Sequence, residues 1–424
     1  MGKFIVFGEE FLSRLREEVN LPELVGRQIK LKRSGRSFVS LCPFHEDKTP
    51  SFHVNPEKNT FRCYGCPAAG DAIEWMKRAH HLSFYDAVVA LAQECGIPLP
   101  AGELEESEDK DLRKRLAKYY QVLKDAARLY EEGLEKNPSG RSYLETTRGL
   151  SKVTIKKFGL GVVSTGVVRL LSSAGNETLL GSGLAAKNDA GIYDRFRQRV
   201  MLPIVNEGGN LVGFAGRSLI AKPEKAPKYL NCPETEIFHK GKELYGLHFA
   251  KPAIRKAKLA VMVEGYFDVI CAHQAGDERV VAPMGTAVTN QQMRRLLVHT
   301  DNITFAFDGD RAGRRAALSA AAVVLDEIKD GQTARFLFLP EGEDPDSFIR
   351  KFGIEAWFSA VDGADQLSTF LGNYIAHKLD RSVPEQQVLA ANKAKAILAR
   401  IKKALLFRHA LRLKFEELVS VPLS

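Results

Sequence analysis

The sequence predicts an α+β protein of several domains, and three patterns along its 424 residues support that prediction. Near the start, two pairs of potential metal ligands stand among short alternating segments, as in a zinc ribbon. Between about 258 and 342, four apolar segments alternate with helical stretches, which is typical of a small parallel α/β sheet. The residues after about 366 are helical by pattern. We therefore expect a zinc ribbon, a mixed α/β subdomain, a parallel α/β subdomain and a helical subdomain, in this order.

Composition limits the possible partners and locations. Charged residues make up 27% of the chain and apolar residues 45%, as in a soluble globular protein, and no apolar segment is long enough to span a membrane. The first residues lack the apolar core of a secretion signal, so we expect a cytoplasmic protein. The formal net charge of +9 is compatible with a polyanionic partner such as a nucleic acid.

Four potential zinc ligands form the first pattern. Cys42 and His45 make one pair and Cys63 and Cys66 a second, and two residues separate the members of each pair. Such pairs converge tetrahedrally on one ion, and three thiolates with one imidazole suit zinc. Because four protein ligands leave no open position, we expect one structural Zn²⁺ per chain.

Aromatic side chains are interleaved with lysine and arginine around these ligands. Stacking rings and cations together suit single-stranded nucleic acid, although the same rings could fill a small hydrophobic core. The aromatic residues are Phe44, Phe52, Phe61 and Tyr64.

An acidic segment, 102–112, has almost no apolar side chains, which predicts a solvated linker. It separates a zinc-binding domain, 1–101, from an N-terminal subdomain of the second half, 113–242. The parallel α/β subdomain follows at 243–366, and the helical subdomain occupies 367–424.

Acidic residues follow three of the predicted parallel strands. Since active groups gather at the carboxyl ends of strands in parallel α/β sheets, we expect these carboxylates to converge at one edge. Oxygen ligands without Cys or His favour Mg²⁺ or Mn²⁺, and two or more such ions suit phosphoryl transfer. Any single acid could instead cap a helix or lie on the surface. The six residues are Glu264 and Asp268, Asp308 and Asp310, and Asp344 and Asp346.

A basic group of residues lies upstream of the acids. Its lysines are spaced too irregularly for one helix face, and a ridge that contacts nucleotide phosphates or template would suit them. Charged surface loops would give the same composition. The residues are Arg195, Arg197, Arg199, Arg217, Lys228 and Lys240.

These motifs together resemble those of bacterial DnaG-type DNA primases, in the family's order and from about 10 to 370. The acidic module resembles a TOPRIM domain, which topoisomerases and some nucleases share. The motifs are CPFHEDKTPSF, FRCYGC, DRFRQRVMLPI, GFAGRSL, KYLNCPETEIFHKG, VEGYFDVI, APMGTA and FDGDRAGRRAA.

The resemblance implies a DNA-directed RNA polymerase that makes short RNA primers from ribonucleoside triphosphates on single-stranded DNA. Its partners would include the RNA primer–DNA hybrid, and its zinc-binding domain would help to select the initiation sequence. By motif match, the six acids are catalytic, with Glu264, Asp308, Asp310 and Asp344 as ligands of magnesium or manganese. The six basic residues would face nucleotide and template.

Primases of this family usually continue into a domain that engages the replicative helicase. The chain stops at Ser424, near the expected end of the polymerase domain. We therefore expect the helicase to be a partner of the family while its binding domain is absent from this chain, either through shortening or by nature.

Two alternative functions remain open at this point. A non-catalytic DNA-binding module would gain nothing from six carboxylates facing a phosphate backbone. A TOPRIM nuclease is the other alternative, and the zinc ribbon together with KYLNCPETEIFHKG favours a primase over it. Incubation with single-stranded DNA, ribonucleotides and a divalent cation would separate the three.

Overall fold

The structure is a computed structural model, and the chain divides into two compact units, Met1–Asp109 and Lys110–Ser424. The residues that it describes are 7–45, 47, 49–66, 68–79, 84–98, 108–220, 227–285, 287–377 and 379–423. Residues 102–107 of the predicted linker lie outside this description, whereas 108–112 already belong to a long helix. The other predicted subdomain boundaries stay predictions.

The first unit combines four helices with a five-stranded antiparallel sheet of order β1-β2-β3-β4-β5. Asn20 caps the second helix and Pro22 stands in its first turn, where a missing N–H is harmless, so the helical pattern of 9–27 forms two helices. The elements are α1 (Glu9–Glu18), α2 (Leu21–Gly26), β1 (Lys32–Ser34), β2 (Ser37–Ser40), β3 (Phe52–Asn55), β4 (Thr60–Cys63), β5 (Ala69–Gly70), α3 (Ala72–Ala79) and α4 (Phe84–Glu94).

The second unit begins with a mixed α/β part. Its antiparallel sheet has the order β11-β10-β9-β6, and β7 and β8 form a separate hairpin. A π-helical turn at Tyr143–Thr147 and a 3₁₀ turn at Ser172–Ala174 connect helices. The elements are α5 (Glu108–Glu135), α6 (Pro138–Ser142), α7 (Lys152–Lys157), β6 (Gly161–Val162), α8 (Val167–Leu170), α9 (Asn176–Gly181), β7 (Ala185–Asn188), β8 (Gly191–Asp194), β9 (Arg199–Val205), β10 (Leu211–Ser218) and β11 (Tyr229–Asn231).

A second sheet follows, with the order β13-β12-β14-β15-β16. Its first four strands are parallel and match the four apolar segments of the sequence, which confirms the predicted parallel α/β architecture. The edge strand β16 pairs antiparallel. The elements are α10 (Leu247–Ala257), β12 (Ala260–Met262), α11 (Tyr266–Ala275), β13 (Val280–Val281), α12 (Asn290–Leu296), β14 (Asn302–Phe307), α13 (Arg311–Glu327), β15 (Thr333–Phe338), α14 (Pro345–Phe352), α15 (Ile354–Asp362), β16 (Asp365–Gln366) and α16 (Leu367–Ala376).

Two further helices, α17 (Pro384–Arg400) and α18 (Leu405–Val419), confirm the predicted helical C-terminal region. Their apolar side chains share one hydrophobic core with α13 and the sheet. Lys403 donates to the buried carboxylate of Glu327 at the end of α13, with 2.5 Å between Nζ and Oε2. Among the described helices, none is both long and apolar enough to cross a membrane.

The register of the parallel strands brings three loops to one edge. Met262 pairs with Phe305, and Phe307 pairs with Phe338, so β12, β14 and β15 end side by side. Each of the three loops that follow leads into the N-terminus of a helix, namely α11, α13 or α14. All six predicted acids lie in these loops or in the first turn of these helices.

Candidate functional site

Glu264 and Asp308 meet across the neighbouring strands β12 and β14. The backbone N–H of Asp308 donates to Oε1 of Glu264 over 3.2 Å. The link fixes one carboxylate against the loop that carries the next, as the parallel register predicts.

Gly309 lets the loop between Asp308 and Asp310 lie directly against the end of β15. A Cβ atom at this position would stand 2.4 Å from the carbonyl oxygen of Leu339 and 2.5 Å from that of Pro340. Both neighbours are backbone atoms that cannot rotate away, so only glycine fits between the two aspartates.

Asp310 and Asp344 both cap helices. Oδ1 of Asp310 accepts from the N–H of Gly313 over 2.7 Å, and Oδ1 of Asp344 accepts from the N–H of Ser347 over 2.7 Å. The capping role considered from the sequence is therefore real. A carboxylate has two oxygens, however, so a cap leaves the second oxygen for another partner.

Asp308 is the acid with the clearest need for a cation. Burial is the largest cause that raises its pKa, to about 7, and the carboxylates of Glu264, Asp344 and Asp310 add to the effect. Its Oδ1 is buried and has no hydrogen-bond partner in the described part of the chain. A buried acceptor without a partner is destabilising unless a proton or a cation supplies one.

The pKa values of Asp268 and Glu264 are raised as well. Burial raises the pKa of Asp268 to about 8, with further contributions from Asp344, Asp308 and Asp346. Burial, with repulsion from Asp310, also raises the pKa of Glu264. For both residues, burial raises the pKa more than repulsion between the carboxylates does.

This acidic edge fits divalent cations that take hard oxygen ligands, such as Mg²⁺ or Mn²⁺. Its carboxylates are more widely spaced than those of a closed metal site. Within the described residues, the only group of three or more potential ligands whose atoms all lie within 4.8 Å of one another is the Cys/His tetrad. The acidic edge therefore leaves room for water or substrate oxygens around an ion.

Asp346 differs from the other acids because its carboxylate forms ion pairs with two arginines. Its side chain is fully buried, with Oδ2 2.7 Å from Nη1 of Arg148 and Oδ1 2.9 Å from Nε of Arg350. The guanidinium of Arg148 also lies 4.5 Å from the ring of Phe267 and donates to the hydroxyl of Tyr143. These contacts fit a positioning role for Asp346 better than the predicted catalytic one.

Lys228, immediately before β11, is the basic residue that faces the acids. Its side chain is exposed, and its positive charge lowers the pKa of Asp308, opposing the effect of burial. Arg197 is also exposed, and its guanidinium lies 5.2 Å from the ring of Tyr193. Lys240 is half-buried, with its backbone N–H held by Glu234.

The other three predicted basic residues donate to backbone carbonyls. Arg199 is only 4% exposed, and its guanidinium donates to the carbonyls of Gly216 and Pro227 over 2.9 and 3.0 Å. The prediction that Arg199 contacts nucleotide or template is therefore corrected, because it holds the segment before Lys228. Arg195 donates to the carbonyl of Asn231, and Arg217 to that of Ser218.

Two neutral residues that the sequence analysis did not select connect the basic and acidic parts. Oδ1 of Asn231 accepts from the hydroxyl of Tyr266 over 2.8 Å, and its Nδ2 donates to the carbonyl of Met284. They stand in the motifs KYLNCPETEIFHKG and VEGYFDVI, but a neutral side chain carries no charge that would mark it as part of the site. No sequence signal marks Arg148, because its partner Asp346 lies 198 residues away along the chain.

The zinc-ligand tetrad in the first unit is closed. Cys42 and His45 lie in the loop between β2 and β3, whereas Cys63 and Cys66 lie at and just after the end of β4. Sγ of Cys42 is 3.8 Å from Sγ of Cys66, which matches the edge of about 3.8 Å expected for thiolates about 2.3 Å from a tetrahedral zinc. Sγ of Cys63 is 3.9 Å from Nδ1 of His45.

Three of the four aromatic residues near the tetrad fill a core. Phe52 and Phe61 are buried and their ring centroids lie 5.2 Å apart, while Phe44 packs on Trp75 at 5.5 Å. Tyr64 is 71% exposed. Of the four aromatic residues, Tyr64 is therefore the one whose ring is accessible for stacking on bases.

Three family models match consecutive parts of the chain. The CHC2 zinc finger matches residues 7–107, the N-terminal domain of the DNA primase catalytic core matches 129–251, and a Toprim-like model matches 261–349.

Curated relatives match most of the chain. The DNA primase of Escherichia coli strain K12 is 37% identical over 401 residues, which is 92% of this chain and 68% of that protein. This chain belongs to the bacterial DnaG-type DNA primase family. The DNA primase of Pseudomonas aeruginosa strain PAO1 is 38% identical over 404 residues, which cover 93% of this primase and 60% of the relative. Members of the family are nucleotidyltransferases that polymerise RNA, and this primase is an enzyme of that class.

Solved structures agree with this assignment. The zinc-binding and RNA polymerase domains of the Aquifex aeolicus primase are 31% identical, with a TM-score of 0.62 over 97% of each chain. A DnaG primase catalytic domain bound to single-stranded DNA is 36% identical, with a TM-score of 0.67 over 73% of this primase and 98% of that chain. The family decides between the functions left open by the sequence in favour of a primase.

The acidic edge predicts an unusual response to Asp308→Asn. With a chelator present, folded Asp308 and Asp268 keep protons that the unfolded chain releases near pH 4, so their contribution to stability is lost progressively as pH rises from about 4 to about 7–8. We expect the thermal midpoint of the variant to fall less over this window than that of the wild type. RNA synthesis with Mg²⁺ should fall at least about 100-fold because transition-state stabilisation is lost.

Asp189→Asn, on the exposed turn of the β7–β8 hairpin, is the matched control and should follow the wild type in both measurements. An Asp308→Asn midpoint several degrees below the wild type in chelator at pH 8 would indicate a structural ion pair instead.

Substitution of Arg148, unlike Asp308→Asn, should lower the stability of the fold. Arg148→Met leaves a buried carboxylate with one cation fewer, and removing one partner of a buried pair costs about 3–5 kcal/mol. Denaturant unfolding should show a loss near the lower value, because Arg350 remains. Arg350→Met, at a side chain that is 48% exposed, should cost about 1 kcal/mol or less. Adding Asp346→Asn to Arg148→Met should recover stability, and equal losses for both arginine variants would contradict the assignment.

Proposed function

We propose that this primase makes short RNA primers from ribonucleoside triphosphates on a single-stranded DNA template, by metal-dependent nucleotidyl transfer at the acidic edge. The observation that carries the proposal is the unpartnered, buried Oδ1 of Asp308, which lies among carboxylates and opposite Lys228. A buried anionic oxygen of this kind calls for a cation, and the exposed lysine suits a phosphate.

Glu264, Asp308, Asp310 and Asp344 are the proposed ligands of two or more Mg²⁺ or Mn²⁺ ions. When bound, such ions lower the pKa of the primer 3′-hydroxyl and stabilise the charge that develops on the α-phosphate as pyrophosphate leaves. Asp268 is not in this proposed ligand set, and burial raises the pKa of its carboxyl.

The chain's own residues arrange the substrate. Lys228 balances phosphate charge next to Asp308, and the exposed Arg197 and half-buried Lys240 extend the basic side toward nucleotide or template. Arg199, Arg195 and Arg217 shape this side by holding its backbone. Burial of the acids lowers the local dielectric, which strengthens every one of these electrostatic contacts.

The zinc ribbon supplies a second surface for single-stranded DNA. Lys32, Val39, His53 and Arg62 stand opposite one another across β1 to β4, so they share the face away from the aromatic core. Tyr64 completes this face, with the guanidinium of Arg62 5.5 Å from its ring and the ring of His53 at 4.9 Å. Cations and exposed rings on one sheet suit phosphates and bases.

The template proposal is supported by the related catalytic domain that was solved with single-stranded DNA. The RNA primer–DNA hybrid follows from the reaction itself. A replicative helicase stays an expectation for the family, since the chain spans 68% of the Escherichia coli relative.

The central test is primer synthesis by the full chain on single-stranded DNA with labelled ribonucleotides and Mg²⁺ or Mn²⁺. Short RNA that disappears with chelator and with Asp310→Asn supports the proposal. Shortened DNA in place of RNA would indicate a nuclease, and DNA binding without either product would leave a binding module.

Replacing Cys63 by Ala should release the zinc and unfold the ribbon, because so small a domain takes much of its folding free energy from the metal. Metal analysis should show about one zinc per wild-type chain and almost none in the variant. Cys95→Ala is the control, since Cys95 is exposed and outside the tetrad. Full zinc occupancy in Cys63→Ala would refute the site.

Binding of single-stranded DNA should be weak and strongly dependent on salt. Each contacted phosphate contributes about −0.7 to the slope of log affinity against log salt, so three contacts give roughly −2. Tyr64→Ala should lower affinity by about 1–3 kcal/mol at fixed salt, with the slope nearly unchanged. Lys228→Ala should reduce primer synthesis. Fluorescence anisotropy of a labelled oligonucleotide measures the salt slope and the loss of affinity in Tyr64→Ala. Affinity that does not change with salt would contradict the proposed contacts between basic residues and phosphates.

A further inference from the structure

The loop that carries the first pair of zinc ligands is organised around the carboxylate of Asp47. Its Oδ2 accepts from the backbone N–H of Cys42 over 3.1 Å and from that of Ser51 over 3.3 Å. The hydroxyl of Ser51 donates to the same oxygen over 2.5 Å, and the N–H of Thr49 lies 3.4 Å from Oδ1. Asp47 thus holds the residue that bears one thiolate.

Ser51 connects this loop to the second pair of ligands. Its carbonyl accepts from the N–H of Tyr64 over 2.9 Å, and its Oγ lies 3.2 Å from Sγ of Cys63. The N–H of Gly65 donates to the same sulfur over 3.2 Å. The serine hydroxyl therefore lies between a carboxylate and a zinc-ligand sulfur, within hydrogen-bond distance of both.

We propose that Asp47 and Ser51 form a clamp that positions the zinc ligands: Asp47 fixes Cys42 and the serine, and the single hydroxyl proton of Ser51 is shared between Asp47 and the Cys63 thiolate in a three-centre hydrogen bond. The proposal rests on zinc being the ion of the tetrad. Neither residue is a ligand, and both act through residues that are.

The clamp would fix the positions of Cys42 and Cys63 relative to each other. Cys42 lies in the loop after β2 and Cys63 at the end of β4, so they are not neighbours in sequence and the local backbone does not fix the distance between them. Asp47 and Ser51 link the two sides through hydrogen bonds. A preformed tetrad holds zinc longer, and partners that orient metal ligands in this way are typically worth 10–100-fold in metal affinity.

Zinc release from the full-length chain to an excess of a chelating dye tests the proposal. Ser51→Ala removes both functions of the hydroxyl and should release zinc at least about 10-fold faster than wild type. Asp47→Asn should also accelerate release, because it removes the charge that holds Cys42 and Ser51. Ser51→Thr keeps a hydroxyl and should stay close to wild type. Thr49→Ala, in the same loop, keeps the backbone N–H that Asp47 uses and is the matched control.

Cobalt substitution separates positioning from a general loss of stability. In Ser51→Ala, the thiolate-to-cobalt absorption band should move to lower energy, since a thiolate without its hydrogen bond is a stronger electron donor. Intact tetrahedral cobalt bands in the same spectrum show that the variant is folded around the ion. Should Ser51→Ala fail to fold, the comparison of Asp47→Asn with Ser51→Thr carries the test.

Wild-type release rates in both Ser51→Ala and Asp47→Asn, with an unchanged cobalt band, would overturn the clamp. A wild-type chain without zinc would overturn it together with the tetrad. Primer synthesis is not the readout, so failure of the proposed polymerase mechanism would leave this result interpretable.

Discussion

The constraint on which the rest of the structure depends is the concentration of negative charge at the carboxyl edge of the parallel sheet. Burial and mutual repulsion hold the pKa of Asp308 near 7 and that of Asp268 near 8, so a fully ionised edge destabilises the fold without counter-charge. The fold supplies part of it through the N-termini of α11, α13 and α14, whose peptide dipoles point their positive ends at the acids. Basic side chains supply more of it, and the metal ions proposed above would supply the remainder.

The mixed α/β part of the second unit is best understood as the source of that counter-charge. The charge of Lys228, immediately before β11, acts on Asp308, and Arg148, at the end of the π-helical turn, pairs with Asp346. Between them, Asn231 joins β11 to Tyr266 of α11. Since each of these links joins the mixed α/β part to the part built around the parallel sheet, the acidic edge and the basic side lie together within the unit. A change in either sheet should therefore be felt at the acids.

Residue types and periodicity were enough to predict the parallel sheet, the zinc tetrad and the meeting of the acids, because all three follow from patterns within short segments. What the sequence could not provide was burial and partnership. Arg199 and Arg197 stand two residues apart in one basic motif, yet one is 4% exposed and holds carbonyls while the other faces solvent. Asp346 looks like its neighbour Asp344 until Arg148, 198 residues away, is found beside it. Likewise, Phe44, Phe52 and Phe61 pack in the core while Tyr64 is exposed, a difference that aromatic character alone does not reveal.

The zinc-ligand tetrad and the acidic edge differ in how completely their side chains would surround an ion. In the ribbon, four ligands within 4.8 Å of one another complete the coordination of a single ion, and hydrogen bonds from Ser51 and Gly65 converge on a sulfur. Nothing is left for a substrate, so the ion can only hold the chain together. At the acidic edge, two carboxylates already cap helices, one forms ion pairs with two arginines, and the buried Oδ1 of Asp308 has no hydrogen-bond partner among the described residues. That incompleteness has a cost in stability, and it suits the proposed polymerase mechanism, in which the remaining ligands would come from a nucleotide that binds, reacts and leaves.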